Sequence, residues 1–335
     1  MSSTSSSSFA TPPSGCLRGG CCFKFFTAIF GLFALAGFVN WVFFRSRIAN
    51  CISVAEMMTG LPQNDTRIIK YISTYHLVPP STLAYNFKRR GNNSNSFLDT
   101  GPSLEGSLNY SVQKILGFKK KGFFIECSAY DGETDSKTLA LEQQYEWTGL
   151  LIEPDPFVFP RLVFKHRKAW TSDICLSPDP FPQRLEFLHR IDAGSTIPGH
   201  TSLQRALLSP LGNASSTSSP NDDSINGDNM KERWRKVQVP CFPIYSILSA
   251  LNIFRVDYLS LDVQGLELQV LKTIPWNLVR IDVISVSYHL VPEGPEALKS
   301  YLESVGFWLV SDFPRAYLFA NQSAFPANAK STVGS

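Results

Sequence analysis

The sequence predicts an α/β domain built on a mainly parallel β-sheet with a reversed last strand, preceded by one transmembrane helix. Two observations predict the domain: strand-like and helix-like runs alternate from Lys114 onward, and two short strands near the C-terminal end are separated only by the segment DFPR. Such alternation is typical of a parallel sheet covered by helices on both faces, and a turn-length gap favours antiparallel pairing. A third observation, an apolar run of about 20 residues near the N-terminus, predicts the membrane helix.

The N-terminal residues 1–24 are rich in serine and are predicted to form a disordered cytoplasmic tail. Residues 25–44, FFTAIFGLFALAGFVNWVFF, are long enough to cross ~30 Å of hydrocarbon as one helix. The run is longer than the apolar core of a signal peptide, and its far end carries bulky Trp41, Phe43 and Phe44 where a cleavage site needs small residues. We interpret it as a transmembrane signal anchor, with a cleaved signal peptide as the alternative.

Sequons indicate the topology better than flanking charges do. Basic residues on the two sides of the apolar run balance each other, so the positive-inside rule favours neither orientation. All N-x-S/T triplets follow the run: they begin at Asn64, Asn92, Asn109, Asn213 and Asn321. Because glycan transfer requires exposure to the secretory lumen, these triplets predict a single-pass membrane protein with a lumenal C-terminal part.

The cysteines fit this division of the chain. Those next to the apolar run on its cytoplasmic side are candidates for S-acylation: Cys16, Cys21 and Cys22. The remaining ones would lie in an oxidising space: Cys51, Cys127, Cys175 and Cys241. Four thiols allow three complete pairings, and the sequence does not choose among them. No metal-ligand spacing is present, and the histidines are scattered, so no metal site is predicted.

Residues 45–113 are predicted to form a lumenal stem that packs loosely in front of a domain spanning residues 114–325. Within the domain, apolar and β-branched runs predict strands at 123–127, 149–153, 169–176, 256–262, 283–288, 307–311 and 316–320. Helices are predicted at 136–142, 157–166, 244–251, 267–273 and 296–305. The low-complexity residues 211–229 are predicted to be a disordered insertion. The net charge of +3 gives no indication of nucleic-acid binding.

The stretch GFFIECSAYDGE, residues 122–133, points to a binding site. A buried strand ends in Glu126, and a tight turn with Asp131 and Gly132 leads into the next helix. The second strand ends in Glu153, roughly 20 residues after the turn, where a carboxylate can accept two ribose hydroxyls. This order of elements indicates a nucleoside site; the alternative is an ordinary βαβ unit whose terminal acids are solvated or cap helices.

Over residues 65–320 the chain resembles the FkbM-type methyltransferase family, in particular its membrane-anchored Star-like branch. The segments that carry the resemblance are DTRIIKYISTYHLVPPS, GFFIECSAYDGE, WTGLLIEPDP, VPCFPIYSIL, VDYLSLDVQGLELQVLKTIPW and IDVISVSYH. The resemblance implies a class I methyltransferase-like fold with S-adenosylmethionine as cofactor. The cofactor-binding positions that it implies are Glu126, Ser128, Tyr130, Asp131, Gly132 and Glu153, and residues 261–265 would line the acceptor side.

Three residues depart from the family pattern. Ser128 replaces a glycine in the first turn, where a side chain takes space that the ligand needs. Gln264 and Ser287 replace glutamates, and neither can act as a general base. Asp262 and His289 then remain as the candidate catalytic acid–base groups; their alternative roles are a strand-end cap and a surface histidine.

The resemblance implies a Star-like protein whose lumenal domain is catalytically degenerate and assists trafficking of client membrane proteins through endoplasmic reticulum, Golgi and endosomes, or to the plasma membrane. The alternative is an active S-adenosylmethionine-dependent O-methyltransferase. A third reading is a structural domain that binds a nucleoside or glycan without turnover. Adenosylmethionine is made in the cytosol, so the predicted lumenal position favours a non-catalytic use of the fold.

Overall fold

The computed structural model describes residue 58 and residues 60–88, 108–191 and 233–325. The predicted cytoplasmic tail, the apolar run at 25–44 and the insertion at 211–229 lie outside these residues. Within the described ranges, no helix combines the length and apolar character needed to cross a membrane.

The described chain alternates helices and strands in the predicted manner. The helices are α1 (Thr66–Tyr75), α2 (Leu108–Ile115), α3 (Leu139–Tyr145), α4 (Phe159–Phe164), α5 (Ile244–Leu251), α6 (Glu267–Lys272) and α7 (Pro295–Ser304). The strands are β1 (Phe123–Cys127), β2 (Thr148–Ile152), β3 (Trp170–Ser172), β4 (Cys175–Leu176), β5 (Gln183–Ile191), β6 (Arg233–Phe242), β7 (Arg255–Leu261), β8 (Arg280–Ser287), β9 (Phe307–Phe313) and β10 (Ala316–Asn321).

Seven strands form the main sheet in the order β3-β2-β1-β7-β8-β10-β9. The first five are parallel to one another, and β10 lies antiparallel between β8 and β9. The predicted parallel sheet with a reversed last strand is therefore confirmed. Central strands such as β7 and β8 are buried along almost their whole length because layers cover both faces of the sheet. The strand order reverses between β1 and β7, and at such a point α/β sheets bind their ligands.

A second, three-stranded sheet in the order β4-β6-β5 was not predicted. The prediction of one strand over 169–176 is wrong, since the chain leaves the main sheet after Ser172 and enters the second sheet at Cys175. Between them, Asp173 lies 2.7 Å from Nδ1 of His76, and Ile174 is fully buried. Strands β5 and β6 pair in antiparallel fashion although 41 residues of unpatterned sequence, 192–232, separate them. A pairing across so long a segment leaves no local signal.

One disulfide joins the second sheet. Cys175 on β4 and Cys241 on β6 are bonded, with their Cα atoms 4.4 Å apart. Cys127 is buried and free, and burial raises the pKa of its thiol. Cys51 lies outside the described residues. Of the bonds that the sequence left open, the described residues therefore contain Cys175–Cys241 and leave Cys127 unpaired.

Residues 60–88 of the predicted stem pack closely against the domain, so the expectation of loose packing is wrong for this segment. Helix α1 buries Ile68, Tyr71 and Ile72, whose helical spacing forms one apolar face toward α5. Two long-range hydrogen bonds hold the chain before α1, because Gln63 donates to the Thr273 carbonyl at 3.2 Å and accepts from Ser246 at 2.6 Å.

Candidate functional site

A cleft of about 510 Å³ opens at the carboxyl ends of β1, β7 and β8, next to the point where the strand order reverses. The loop after β1 contributes one wall, and the turn between β9 and β10 contributes another. The floor includes Asp262 at the end of β7, between these walls. The volume falls in the ~300–1,000 Å³ range of small-molecule sites.

The turn after β1 adopts a backbone that suits glycine. Ser128, Tyr130 and Gly132 have φ values of +57°, +51° and +75°. A Cβ at Gly132 would lie 2.5 Å from Cδ1 of Leu162, so this position excludes larger residues. Ser128 keeps its left-handed conformation while its hydroxyl donates to the Asp262 carbonyl at 2.6 Å. The side chain at 128 thus ties the turn to the end of β7, in the space where the sequence predicted an obstruction.

Two of the predicted cofactor carboxylates organise this turn. Glu126 accepts from the Ser136 hydroxyl at 2.8 Å, from the Lys137 backbone N–H at 2.7 Å and from the Thr138 hydroxyl. These bonds explain why α3 begins at Leu139 and not at the predicted residue 136. Asp131 accepts from the backbone N–H groups of two following residues, Glu133 at 3.0 Å and Thr134 at 2.7 Å. Both carboxylates are buried.

Glu153, the predicted ribose ligand, is fully buried just after β2. One carboxylate oxygen accepts from the Tyr130 backbone N–H at 2.8 Å, and the other accepts from that of Asp155 at 3.0 Å. Burial raises the pKa of Glu153 from 4.5 to about 7. The cavity beside it, lined in part by Cys175 and Phe187, measures about 30 Å³. The Glu153 carboxylate thus connects, by hydrogen bonds, the turn after β1 with the segment that follows β2.

Because the folded-state pKa of Glu153 lies above its unfolded value, the native state binds more protons between pH 4.5 and 7. We therefore expect the free energy of unfolding to fall as pH rises through this range, by on the order of 3 kcal/mol from this group. Urea unfolding of the wild type and of Glu153→Gln, measured from pH 5 to 8, tests this. The variant cannot titrate at this position, so its pH slope should be smaller; equal slopes would contradict the assignment.

The end of β7 carries the second turn of the site. Gln264 and Gly265 have φ values of +57° and +107°, and a Cβ at Gly265 would lie 2.7 Å from the Leu290 carbonyl oxygen. Glu267 accepts from the backbone N–H groups of Val263 and Gly265, each at 2.9 Å. Sequence reasoning missed Glu267, although an acid two residues after the glycine in DVQGLE was a usable signal. Burial raises the pKa of Glu267 to about 7.

Asp262 lies where the sequence placed it, at the floor of the cleft. Its Oδ1 accepts from the side-chain amide of Gln264 at 3.0 Å, so the amide that follows β7 bonds the acid at its end. Burial raises the pKa of the Asp262 carboxyl, and the nearby His289, Lys137 and Arg315 oppose that shift.

His289 is held in one protonation state by a ring of hydrogen bonds. Its Nε2 lies 2.7 Å from the Arg315 guanidinium, and its Nδ1 lies 2.9 Å from the Ser287 hydroxyl. Arginine can only donate, so Nε2 accepts and the proton is on Nδ1. The Ser287 hydroxyl is then free to donate to the Arg315 carbonyl at 3.3 Å. Burial, followed by the Arg315 charge, lowers the pKa of His289.

Sequence reasoning also missed a buried ion pair behind the site. Arg167 donates from Nε to Glu142 at 2.9 Å, and both side chains are almost completely buried. The same guanidinium donates to the Gly132 carbonyl, to Ser136 at 3.2 Å and to Thr138 at 3.2 Å. It therefore joins the glycine turn to the start of α3. An arginine after a short helix carries no sequence signal for such a role.

Comparison with known families agrees with this geometry. A family model described as a methyltransferase FkbM domain matches residues 126–309, more than half of the chain. The chain belongs to this family. Its matched region begins at the strand-end acid Glu126 and includes both turns of the site. No curated protein matches the chain.

Adenosylmethionine is the ligand that membership of the FkbM family suggests. The residues present do not fit its adenosine part in this arrangement. Both Glu153 oxygens accept hydrogen bonds from backbone N–H groups, the side chain has no exposed surface, and the cavity next to it measures about 30 Å³, against about 510 Å³ for the cleft. Within the described ranges, no cluster of histidine, cysteine and acidic residues could hold a metal ion. The roles of the six cofactor positions and of Asp262 and His289 stay predictions.

Proposed function

We propose that this FkbM domain does not transfer methyl groups and instead binds client membrane proteins, which it accompanies through endoplasmic reticulum, Golgi and endosomes. One observation carries the proposal: the predicted ribose acid, Glu153, is fully buried and both of its oxygens are bonded to the backbone. A carboxylate in that position joins two turns and, because the side chain has no solvent-exposed surface, does not reach a ribose hydroxyl in this arrangement. The domain thus keeps the fold, while the region at the ends of β1 and β2, where a nucleoside was predicted to bind, is filled by protein contacts.

Two further features support a secretory-pathway membrane protein. The disulfide between Cys175 and Cys241 is of the kind that persists in oxidising compartments. The sequon at Asn64 is exposed just before α1, where it can carry a glycan. The Asn321 amide, in contrast, is engaged with the Ile281 carbonyl and with Ser323. Together with the apolar residues 25–44, these features favour a single-pass protein with a lumenal domain.

The second candidate is an active O-methyltransferase, which the open cleft at the reversal of strand order favours. Asp262 and His289 would be its acid–base groups. The lone pair of His289 Nε2 is taken by Arg315, however, and a general base needs a free one. This arrangement leaves Asp262 as the remaining base for that reaction.

Calorimetry of the full-length protein with adenosylmethionine separates the two candidates. We expect no saturable binding by the wild type up to about 1 mM, the upper end of ordinary KM values. Ser128→Gly, which suits the φ of +57° and opens the first turn, should bind more tightly than the wild type if the side chain alone blocks the ligand. An active methyltransferase is the positive control for the ligand. Micromolar binding by the wild type would contradict the proposal.

Rescue in cells tests the client-binding role. In cells that lack the protein, the double variant Asp262→Asn with His289→Gln should restore surface delivery of membrane glycoproteins as well as the wild type does. Both replacements keep side-chain volume and a hydrogen-bond acceptor but remove the candidate acid–base groups. Failure of the folded double variant, together with methyl transfer by the wild type, would make the methyltransferase the better assignment.

A further inference from the structure

Arg315 occupies a backbone conformation that an arginine rarely adopts. It lies in the turn between β9 and β10 with φ of +77°, in the left-handed region that favours glycine. Its backbone carbonyl accepts from the Tyr288 N–H at 3.0 Å, and its own N–H donates to the Tyr288 hydroxyl at 3.3 Å. Glycine would make the same backbone bonds without the steric cost. The backbone of the turn therefore does not explain why this position carries an arginine, and the explanation must lie in what the side chain contacts.

The side chain is held over the cleft. The bond from its guanidinium to His289 Nε2 fixes the head group, and Ser287 fixes the imidazole in turn. Arg315 lines the cleft of about 510 Å³ and is solvent-exposed. Among residues 60–88, 108–191 and 233–325, it forms no salt bridge with a carboxylate. A guanidinium has five N–H donors, and the bond to His289 uses one of them.

Acids line the cleft as well, but among the described residues none of them lies within ion-pair distance of Arg315. Of these acids, Glu126 is buried and accepts from three donors, and Asp262 accepts from Gln264. Asp135 is exposed on the loop after β1, the opposite wall. Lys137, on the same loop, also forms no salt bridge within the described part of the chain. The cleft thus presents basic groups from two walls.

We propose that Arg315, held in place by neutral His289, binds a carboxylate group of a ligand that enters this cleft. Arginine forms the strongest and most directional bonds with carboxylates, often through two parallel N–H donors. Phe313 and Pro314 line the same cleft, keep accessible surface and provide apolar contact for the rest of the ligand. His289 acts as a positioning residue, since it touches the guanidinium and not the carboxylate. The inference does not depend on whether the domain binds clients or transfers methyl groups.

Benzoate and benzamide are matched probes, because they share shape and differ in charge. With the full-length protein, calorimetry should show benzoate binding at least about tenfold more tightly than benzamide, as expected for a charge-assisted hydrogen bond. Arg315→Gly should abolish this preference without lowering the free energy of unfolding, because glycine suits the turn. Arg161→Gln, at an exposed arginine on α4, is the control and should leave the preference unchanged.

Variants of His289 test the positioning role. His289→Gln keeps an acceptor for the guanidinium and should retain most of the preference for benzoate, whereas His289→Ala should lose most of it. A short peptide with one glutamate, compared with its glutamine counterpart, decides whether the carboxylate can come from a protein or only from a small organic acid. Equal binding of benzoate and benzamide, or an unchanged preference in Arg315→Gly, would overturn the inference.

Discussion

Replacing Cys175 and Cys241 together by alanine is expected to lower the free energy of unfolding by roughly 4 kcal/mol. The two cysteines are 66 residues apart, and a cross-link across a loop of that length restricts the unfolded chain by about this amount. The bond also joins β4 to β6, which pair through only two residues on each strand. Loss of the bond removes the one covalent tie across the second sheet among the described residues.

Urea unfolding of the full-length protein with and without reductant measures this effect. Reductant should destabilise the wild type by a similar amount and leave the double variant unchanged. Cys127→Ala is the matched control, because Cys127 is equally buried but forms no disulfide. If the double variant loses no more stability than this control, the disulfide does not make the expected contribution.

Arg167→Met is expected to cost about 3–5 kcal/mol of the free energy of unfolding. The substitution leaves the buried Glu142 carboxylate without its cation and the Gly132 carbonyl without its donor. Removing one partner of a buried ion pair is costly because an uncompensated charge stays in the interior. Since the same guanidinium bonds the glycine turn to the start of α3, we also expect this turn to lose order.

Two further variants identify the cause of that loss. Arg167→Met combined with Glu142→Gln removes the orphaned charge and should recover part of the stability. Arg161→Met, on the exposed face of α4, should be nearly neutral. Denaturant unfolding of each variant measures the change in its free energy of unfolding. A loss for Arg167→Met no greater than that for Arg161→Met would show that the buried pair is dispensable.

For the predicted site residues, the sequence indicated the position in the sheet but not the hydrogen-bond partners. Glu126, Glu153 and Asp262 each lie at or next to the last residue of a predicted parallel strand, and all three lie at the same edge of the sheet. Their hydrogen-bond partners could not be predicted. Glu153 bonds the backbone of Tyr130, 23 residues earlier, because the two turns meet only after β1 and β2 pair. The alternative that the sequence left open, a βαβ unit whose terminal acids are solvated or cap helices, describes Glu126 before α3 but not the buried Glu153.

The sequence by itself determined the elements whose signals are local. The bounds of β1 at Phe123–Cys127 and of α5 at Ile244–Leu251 match the predictions, because strand and helix periodicity depend on neighbouring residues. The family resemblance was likewise readable from contiguous segments, and the match over residues 126–309 confirms the family.

Only the tertiary structure decided the features that join distant residues. It selected the Cys175–Cys241 bond, paired Arg167 with Glu142, and placed Arg315 against His289. It also packed residues 60–88 onto the domain. Such contacts are made by side chains that meet after the sheet has assembled, and neither composition nor periodicity records which of many compatible partners a folded chain brings within hydrogen-bond distance.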